Sequence, residues 1–161
     1  VSRVEVASSA LVLALMMASA LNAAGLSAKI RGTQSATNQA ALLCADLLSE
    51  VRAQPMPAVL EAVPTGSVSG PRDAFDDVFD YANYVAFPPT DEKGTTIEGA
   101  ENWWLRVTMQ WLETGDLSRT STDPTGVLAI RVAVNRGSKE LARMHTLRTS
   151  AGEAARFGGA P

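Results

Sequence analysis

The sequence is poor in the residues that form covalent cross-links and most enzyme sites. Its 161 residues include one cysteine, Cys44, and one histidine, His145. A single cysteine excludes a disulfide within the chain, and Cys44 is interpreted as a small apolar helix residue. The sequence contains neither a Gly-x-Ser-x-Gly motif nor a phosphate-binding loop. With one histidine and no such motif, the sequence predicts a protein that is not an enzyme and that needs no cofactor.

An excess of positive charge is also absent. The chain has 14 Lys and Arg against 17 Asp and Glu, which gives a net charge of -3. The sequence pI is about 5.1. Proteins that bind nucleic acid or anionic membrane faces through electrostatics carry a basic excess, so no nucleic-acid partner is predicted.

Charge is missing altogether from residues 6–28, directly after Glu5. A helix rises about 1.5 Å per residue, so this stretch reaches roughly 35 Å and could cross a hydrocarbon core of about 30 Å. Residues 1–28 are therefore predicted to be the membrane-spanning half of a long helix. A lone carboxylate such as Glu5 costs about 2.5–3.5 kcal/mol at mid-bilayer, which indicates that it has a partner.

A secretory signal peptide is an alternative interpretation of the same stretch. Residues 10–20 have the length of its apolar region, and Ala18-Ser19-Ala20 fits a small-residue cleavage site. Cleavage after Ala20 would release a soluble domain. The chain begins with valine and not methionine, which favours the view that a leader has already been removed.

Residues 29–54 are predicted to form the amphipathic half of the same helix. Apolar and small residues recur with helical period while charged residues fall elsewhere, and no proline occurs before Pro55. Such a stripe needs a cover, which the rest of the chain can supply. Gly25 and Gly32 lower the stability of the whole predicted helix, since glycine is a poor helix former. Local melting at residues 22–25 is therefore a hypothesis. The stripe consists of Ile30, Thr37, Ala40, Ala41, Cys44, Leu47, Leu48 and Val51.

Residues 55–161 are predicted to form a globular β-rich domain. Residues 55–71 indicate an extended connector, and residues 73–81 indicate a short helical turn or a loop that docks Phe75 and Phe79 on the core. Alternating apolar residues predict strands at 103–112 and 127–134, with a less regular one at 140–148. Asn135-Arg-Gly-Ser138 predicts a hairpin turn, residues 113–124 a polar loop, and residues 151–161 a tail. The fold class is therefore α+β, a long N-terminal helix packed on a small antiparallel sheet.

Glu5, the apolar stretch behind it and the helical continuation to about Gln54 together resemble the type IV pilin family, including the pseudopilins of type II secretion. The resemblance is specific over roughly the first 25 positions and architectural afterwards. It implies a structural subunit of an extracytoplasmic filament. Two alternatives remain: a minor pseudopilin of a secretion system, and a solitary membrane-anchored binding domain.

The resemblance also implies roles for individual residues. Val1 would be exposed by a prepilin peptidase and then N-methylated, although the family usually begins with Phe. Glu5 would pair with the amino group of Val1 on a neighbouring copy. Arg3 is a departure from the usual apolar residue and could compete for Glu5. The implied partners are other copies of the chain and the inner-membrane assembly machinery, with residence in the inner membrane before filament assembly.

Two further residue sets were candidates for binding. Asp73, Asp76, Asp77 and Asp80 could bind calcium through oxygen ligands, but their spacing does not match an EF-hand loop and no metal site is predicted. Trp104 is out of phase with the apolar face of its strand, so it is expected to pack on a loop or on a neighbouring subunit.

Overall fold

The computed structural model describes Met17, residues 31–57 and residues 61–150. A helix, α1, spans residues 31–53, and a short 3-10 helix spans Val78–Tyr81. The strands are β1 Val85–Ala86, β2 Trp103–Glu113, β3 Asp116–Ser121, β4 Val127–Arg136 and β5 Lys139–Thr149. All strand pairs are antiparallel, so the predicted α+β class is confirmed. No helix within the described ranges is long and apolar enough to cross a membrane.

The chain divides into two compact units, Val1–Asn38 and Gln39–Pro161. The first unit contributes the opening turns of α1 to the described residues. The second contains the rest of α1 and the whole sheet. Apart from Met17, the predicted membrane-spanning half lies outside the described residues.

Within the second unit, α1 buries one face and exposes the other. Ala40, Cys44, Leu47 and Val51 are buried at spacings of three and four residues, whereas Leu42 remains 66% exposed. This spacing places the four side chains on one side of the helix. The Cys44 thiol lies 3.8 Å from the Val132 carbonyl oxygen on β4, so the buried side of α1 packs on the sheet. The predicted amphipathic stripe is therefore confirmed from Ala40 to Val51.

The sheet has the order β1-β2-β4-β5, with β3 also paired to β2. Strand β4 pairs along one side of β2 from Trp103 to Trp111. Strands β1 and β3 share the other side of β2, β1 at Leu105 and β3 near Leu112. The hairpin between β4 and β5 turns at Gly137, whose φ of 59° lies in the left-handed region that glycine adopts without a Cβ clash. This is the turn that the sequence predicts.

Strict alternation along β2 and β4 builds the core. On β2, Trp103, Leu105, Val107, Met109 and Trp111 are all buried, and their intervening neighbours are more exposed. Full burial of such side chains contributes about 1.5–3 kcal/mol each. The face of the sheet that carries them packs against α1. On β4 the buried positions are Leu128, Ile130, Val132 and Val134.

The predicted polar loop at residues 113–124 is wrong. Asp116–Ser121 forms β3, which pairs with β2 at Trp111↔Ser121, Leu112↔Thr120 and Glu113↔Asp116. Five of its six residues are exposed, so the strand has no apolar alternation for a sequence pattern to detect. Main-chain hydrogen bonds to β2 and the short turn at Thr114-Gly115 hold it in the sheet.

The predicted docking of residues 73–81 is confirmed. The 3-10 helix buries Val78 and Tyr81. The Phe79 ring meets Trp111 edge to face with centroids 6.0 Å apart, and Phe75 meets Tyr81 in the same way at 4.8 Å. These aromatic pairs hold the segment on the face of the sheet that also carries α1.

Candidate functional site

The two residues predicted to act in assembly, Val1 and Glu5, lie outside the described residues. The described part of the chain presents three other features with potential chemistry. They are a buried ion pair beside α1, an acidic turn, and the face of the sheet that points away from α1.

The buried ion pair joins Glu50 on α1 to Arg72 in the segment after the connector. Arg72 Nε and Nη2 donate to the two carboxylate oxygens of Glu50 at 2.8 and 3.0 Å, a bidentate arrangement. Arg72 Nη1 donates to the Tyr84 hydroxyl and to the Thr90 carbonyl oxygen, each at 3.1 Å. The Tyr81 hydroxyl donates to Glu50 at 2.9 Å. All these polar groups are therefore mutually satisfied.

This environment shifts the titration of Arg72 and Tyr81. Burial alone lowers the pKa of Arg72, but its hydrogen bonds to Glu50 and Tyr84 outweigh burial and raise that pKa overall. Burial, followed by the hydrogen bond to Glu50, raises the pKa of Tyr81 above its usual range. Arg72 thus stays charged and Tyr81 stays neutral at physiological pH. The network fixes the end of α1 to the loops and offers no group poised for proton transfer.

Arg148 makes a second buried contact with the end of α1. It lies on β5 and points to the helix side, where its Nη1 donates to the carbonyl oxygens of Val51 at 3.1 Å and Gln54 at 2.7 Å. The last carbonyls of a helix have no partners within the helix, and a cation there also complements the helix dipole. Arg148 therefore caps α1 from the sheet. The sequence gives no local signal for this contact, because the partners are 97 and 94 residues apart.

Cys44 and His145 lie on opposite faces of the sheet. Cys44 is fully buried between α1 and β4. His145 is exposed on β5, directly opposite Arg131 of β4. The structure therefore does not bring them together as a nucleophile and base.

Cys44 is expected to be almost inert to thiol reagents in the folded chain. Burial raises the pKa of its thiol from 9.0 to about 11, which lowers the thiolate fraction at neutral pH about 100-fold, since each pKa unit is a factor of ten. We expect reaction with a chromogenic disulfide to be at least about 100-fold slower than in guanidinium. A matched control places Leu42→Cys, at an exposed site of α1, in a Cys44→Ala background. Equal rates for Cys44 and the control would contradict the buried packing.

The acidic turn, residues 73–80, uses its carboxylates to begin the 3-10 helix. Asp77 Oδ1 accepts hydrogen bonds from the backbone N–H groups of Phe79 and Asp80 at 2.6 and 3.3 Å. Asp80 Oδ2 accepts in return from those of Asp76 and Asp77 at 2.8 and 3.2 Å. This reciprocal capping explains why the carboxylates of Asp76, Asp77 and Asp80 converge within 4.8 Å. Asp73 is not part of that cluster, and helix capping accounts for the arrangement without a metal.

The outer face of the sheet is the face that points away from α1. It carries three cross-strand rows from β2, β4 and β5, set by the strand register. In the first two rows, Arg and His predominate over acidic side chains. The rows are Arg106–Ala133–Arg143, Thr108–Arg131–His145 and Gln110–Ala129–Leu147.

A groove of about 670 Å³ crosses this outer face. Its lining includes the small side chain of Ala129 and the longer side chains of Arg131, Arg143 and His145. Leu117 of β3 and Leu147 of β5 also line it, and both are about half exposed. The groove therefore combines Arg and His side chains with apolar surface, and no acidic side chain is among the described residues that line it.

Trp104 lies at one end of the outer face, as its phase in β2 predicts. Its ring stacks on Phe87 with centroids 4.3 Å apart and planes inclined by 21°. Trp104 is 42% exposed and Phe87 is 52% exposed. The predicted packing on a loop is thus confirmed, since Phe87 belongs to the segment that follows β1, and the pair still presents aromatic surface to solvent.

The acidic turn can be recognised in the sequence, whereas the basic outer face cannot. The acidic turn is visible as four Asp in eight residues, but the basic outer face is visible only once strand register aligns three strands.

Comparisons of the chain with protein-family models, with curated protein sequences and with solved structures found no match.

Proposed function

We propose that this chain is a structural subunit of an extracytoplasmic filament, similar to the type IV pilins, that assembles through its N-terminal helix. Glu5 of one subunit forms an ion pair with the amino group of Val1 on its neighbour. The subunit resides in the inner membrane before assembly, and a prepilin peptidase exposes Val1. It then enters a bundle of N-terminal helices at the filament core.

The observation that carries this proposal is the position of Glu5. It is a single carboxylate at the border of 23 consecutive residues without charge, residues 6–28. A carboxylate in such surroundings implies a partner. In a polymer of identical chains the amino terminus of a neighbour can supply that partner, in competition with Arg3 of the same chain. The same ion pair would align each incoming subunit in register with the last.

The composition of the uncharged stretch supports transfer from lipid to a helix bundle. Lipid tails are as apolar as leucine, so helices associate there through close packing and not through a hydrophobic gain. Small residues permit that close approach, and many occur in this stretch. They are Ala7, Ser8, Ser9, Ala10, Ala14, Ala18, Ser19, Ala20, Ala23, Ala24, Gly25, Ser27 and Ala28.

The described domain supports the proposal in a second way. Residues 39–53 of α1 are fixed to the sheet by the buried face at Cys44 and Val51, by Arg148 and by the Glu50–Arg72 pair. These contacts make residues 39–53 of α1 part of the folded domain. The domain is therefore covalently continuous with the N-terminal stretch that is proposed to assemble.

Electron microscopy of sheared surface filaments, combined with intact-mass measurement of their subunit, tests the proposal. We expect fibres whose main subunit is this chain with an N-methylated Val1. A rare copy in short fibres, with another chain as the main subunit, would indicate the minor pseudopilin. Absence from every fibre, with the chain found alone in the inner membrane, would contradict the proposal and favour the solitary anchored domain.

A further inference from the structure

Charge is distributed very unevenly over the described domain. The acidic turn, residues 73–80, contains four Asp and neither Lys nor Arg. The β4–β5 hairpin, residues 127–149, contains five Lys or Arg and a single acid, Glu140, and four of these five cations are exposed, because Arg148 is buried on the α1 side. The described domain therefore carries one acidic and one basic surface segment.

The two surfaces lie on opposite sides of the sheet. The acidic turn is held on the α1 side, because Phe79 packs on the inward-facing Trp111 and Tyr81 donates to Glu50 of α1. Arg106, Arg131 and His145 lie on the outer face. A single copy therefore cannot bring its own acidic turn to its own outer face, but it can offer each surface to another copy.

The basic side chains of the outer face are close together and have few acidic partners. Arg131 lies directly opposite His145 across β4 and β5. Among the described residues, Arg143 pairs with Glu140 at 2.6 Å, but neither Arg106 nor Arg131 forms a salt bridge. An anionic group bound in the groove would give Arg131 an ion-pair partner.

The two surfaces also have complementary compositions. The groove is lined by Ala129, Leu117 and Leu147 in addition to its basic side chains. The acidic turn presents exposed Asp73, Ala74 and Asp76 beside the half-buried ring of Phe75. Carboxylates with a small apolar residue between them suit a cationic groove with apolar lining residues, since Arg binds carboxylates in a bidentate manner.

We infer that the acidic turn of one copy docks in the outer-face groove of the next copy. Because the two surfaces differ and lie on opposite sides, this contact is head to tail and not a two-fold dimer. Repeated with a rotation that does not close into a ring, it builds an open fibre. The inference rests on the proposed filament function and adds to it a contact between the globular domains. Arg131 and His145, which line the groove, receive the carboxylates of Asp73 and Asp76.

Disulfide trapping in the full chain tests this contact while all charges are kept. Ala74→Cys lies in the acidic turn and Thr108→Cys lies in the groove, and native Cys44 is buried. We expect mild oxidation of membranes and filaments from cells making the double variant to give a ladder of dimers, trimers and longer chains. The matched control, Ala74→Cys with Ser138→Cys in the exposed hairpin turn, should give no ladder. A ladder equally strong in this control would overturn the inference.

A charge exchange then tests the chemistry of the contact. Added to the trapping variant, Arg131→Glu is expected to reduce the ladder about tenfold or more, as loss of a close charge pair across an interface does. Adding Asp76→Arg should restore it. These side chains are exposed, and circular dichroism of each variant checks the fold. A ladder that is insensitive to Arg131→Glu, or a loss that Asp76→Arg does not rescue, would overturn the inference.

Two further outcomes separate this inference from the proposed function. Fibres visible by electron microscopy without any ladder would overturn the docking contact and leave the filament function standing. A charge-sensitive ladder in membranes of cells that make no fibres would support the contact and contradict the filament function. Saturable binding of heparin, a probe for anionic polysaccharide, together with no ladder would assign the groove to polysaccharide and overturn the inference.

Discussion

Glu5→Ala is expected to abolish filament assembly while the globular domain stays folded. The carboxylate is proposed to pair with the amino group of Val1 on a neighbour inside a helix bundle of low dielectric. Removing one member of such a pair leaves the other charge buried alone, which costs about 3–5 kcal/mol and corresponds to more than a 100-fold loss in association. The measurement is the number of fibres per cell by electron microscopy, with immunoblots of membranes to establish that the chain is still made.

Two control variants test whether the effect is specific to Glu5 and whether Glu5 pairs with Arg3 of its own chain. Glu92→Ala, an exposed acid in the globular domain, should leave fibre number unchanged. Arg3→Ala tests the competing idea that Glu5 pairs within its own chain, and assembly should persist in that variant. Normal fibres from Glu5→Ala would contradict the proposed role, and loss of fibres from both Glu5→Ala and Arg3→Ala would assign Arg3 as the partner of Glu5.

Glu50→Gln is expected to destabilise the globular domain more than the loss of any exposed ion pair does. Glutamine keeps the size of the side chain but removes the charge that compensates Arg72, which is only 5% exposed. Breaking a buried pair costs about 3–5 kcal/mol, and the 22% exposure of Glu50 places the expected loss near the lower end. For a domain of this size, about 3 kcal/mol lowers the melting temperature by about 6–12 °C.

Thermal unfolding of the full chain, followed by tryptophan fluorescence and circular dichroism, measures this effect. The matched control is Glu140→Gln, which breaks the exposed pair with Arg143 and should cost below about 1 kcal/mol. The double variant Glu50→Gln/Arg72→Met removes both partners and should be more stable than Glu50→Gln alone, since it leaves no uncompensated charge. Equal melting temperatures for Glu50→Gln and Glu140→Gln would show that the buried pair does not anchor α1.

Local patterns predicted the elements whose side chains alternate between water and core. The period of two at Trp103 to Trp111 and the Asn135-Arg-Gly-Ser138 turn each correspond to an observed strand or hairpin. Strand β3 was missed because its side chains are exposed on both faces, so only its main-chain bonds to β2 define it. A period of two in hydrophobicity arises when one face of a strand is buried. A strand such as β3, which buries little, therefore shows no such period in its sequence.

Long-range polar contacts were beyond any sequence pattern. Nothing in the local sequence distinguishes Arg72 and Arg148 from exposed arginines. Both are nevertheless buried, and both bind groups at the end of α1. Their partners are 22 and 94–97 residues away, and nothing local selects Glu50 from the other acids or the Val51 carbonyl from other carbonyls. Only the docking of α1 on the sheet brings these groups within reach of one another.

By itself the sequence determined the class of the domain, the amphipathic face of α1 and the placement of Glu5 beside an uncharged stretch, because each depends on residue order along one segment. Tertiary structure decided which polar groups are buried together and how charge is divided between the two sides of the sheet. The acidic turn is contiguous in sequence, but the basic face gathers Arg106, Arg131 and His145 from three strands. Such a surface exists only after strand register is set, since a shift of one residue would turn every one of these side chains toward the core.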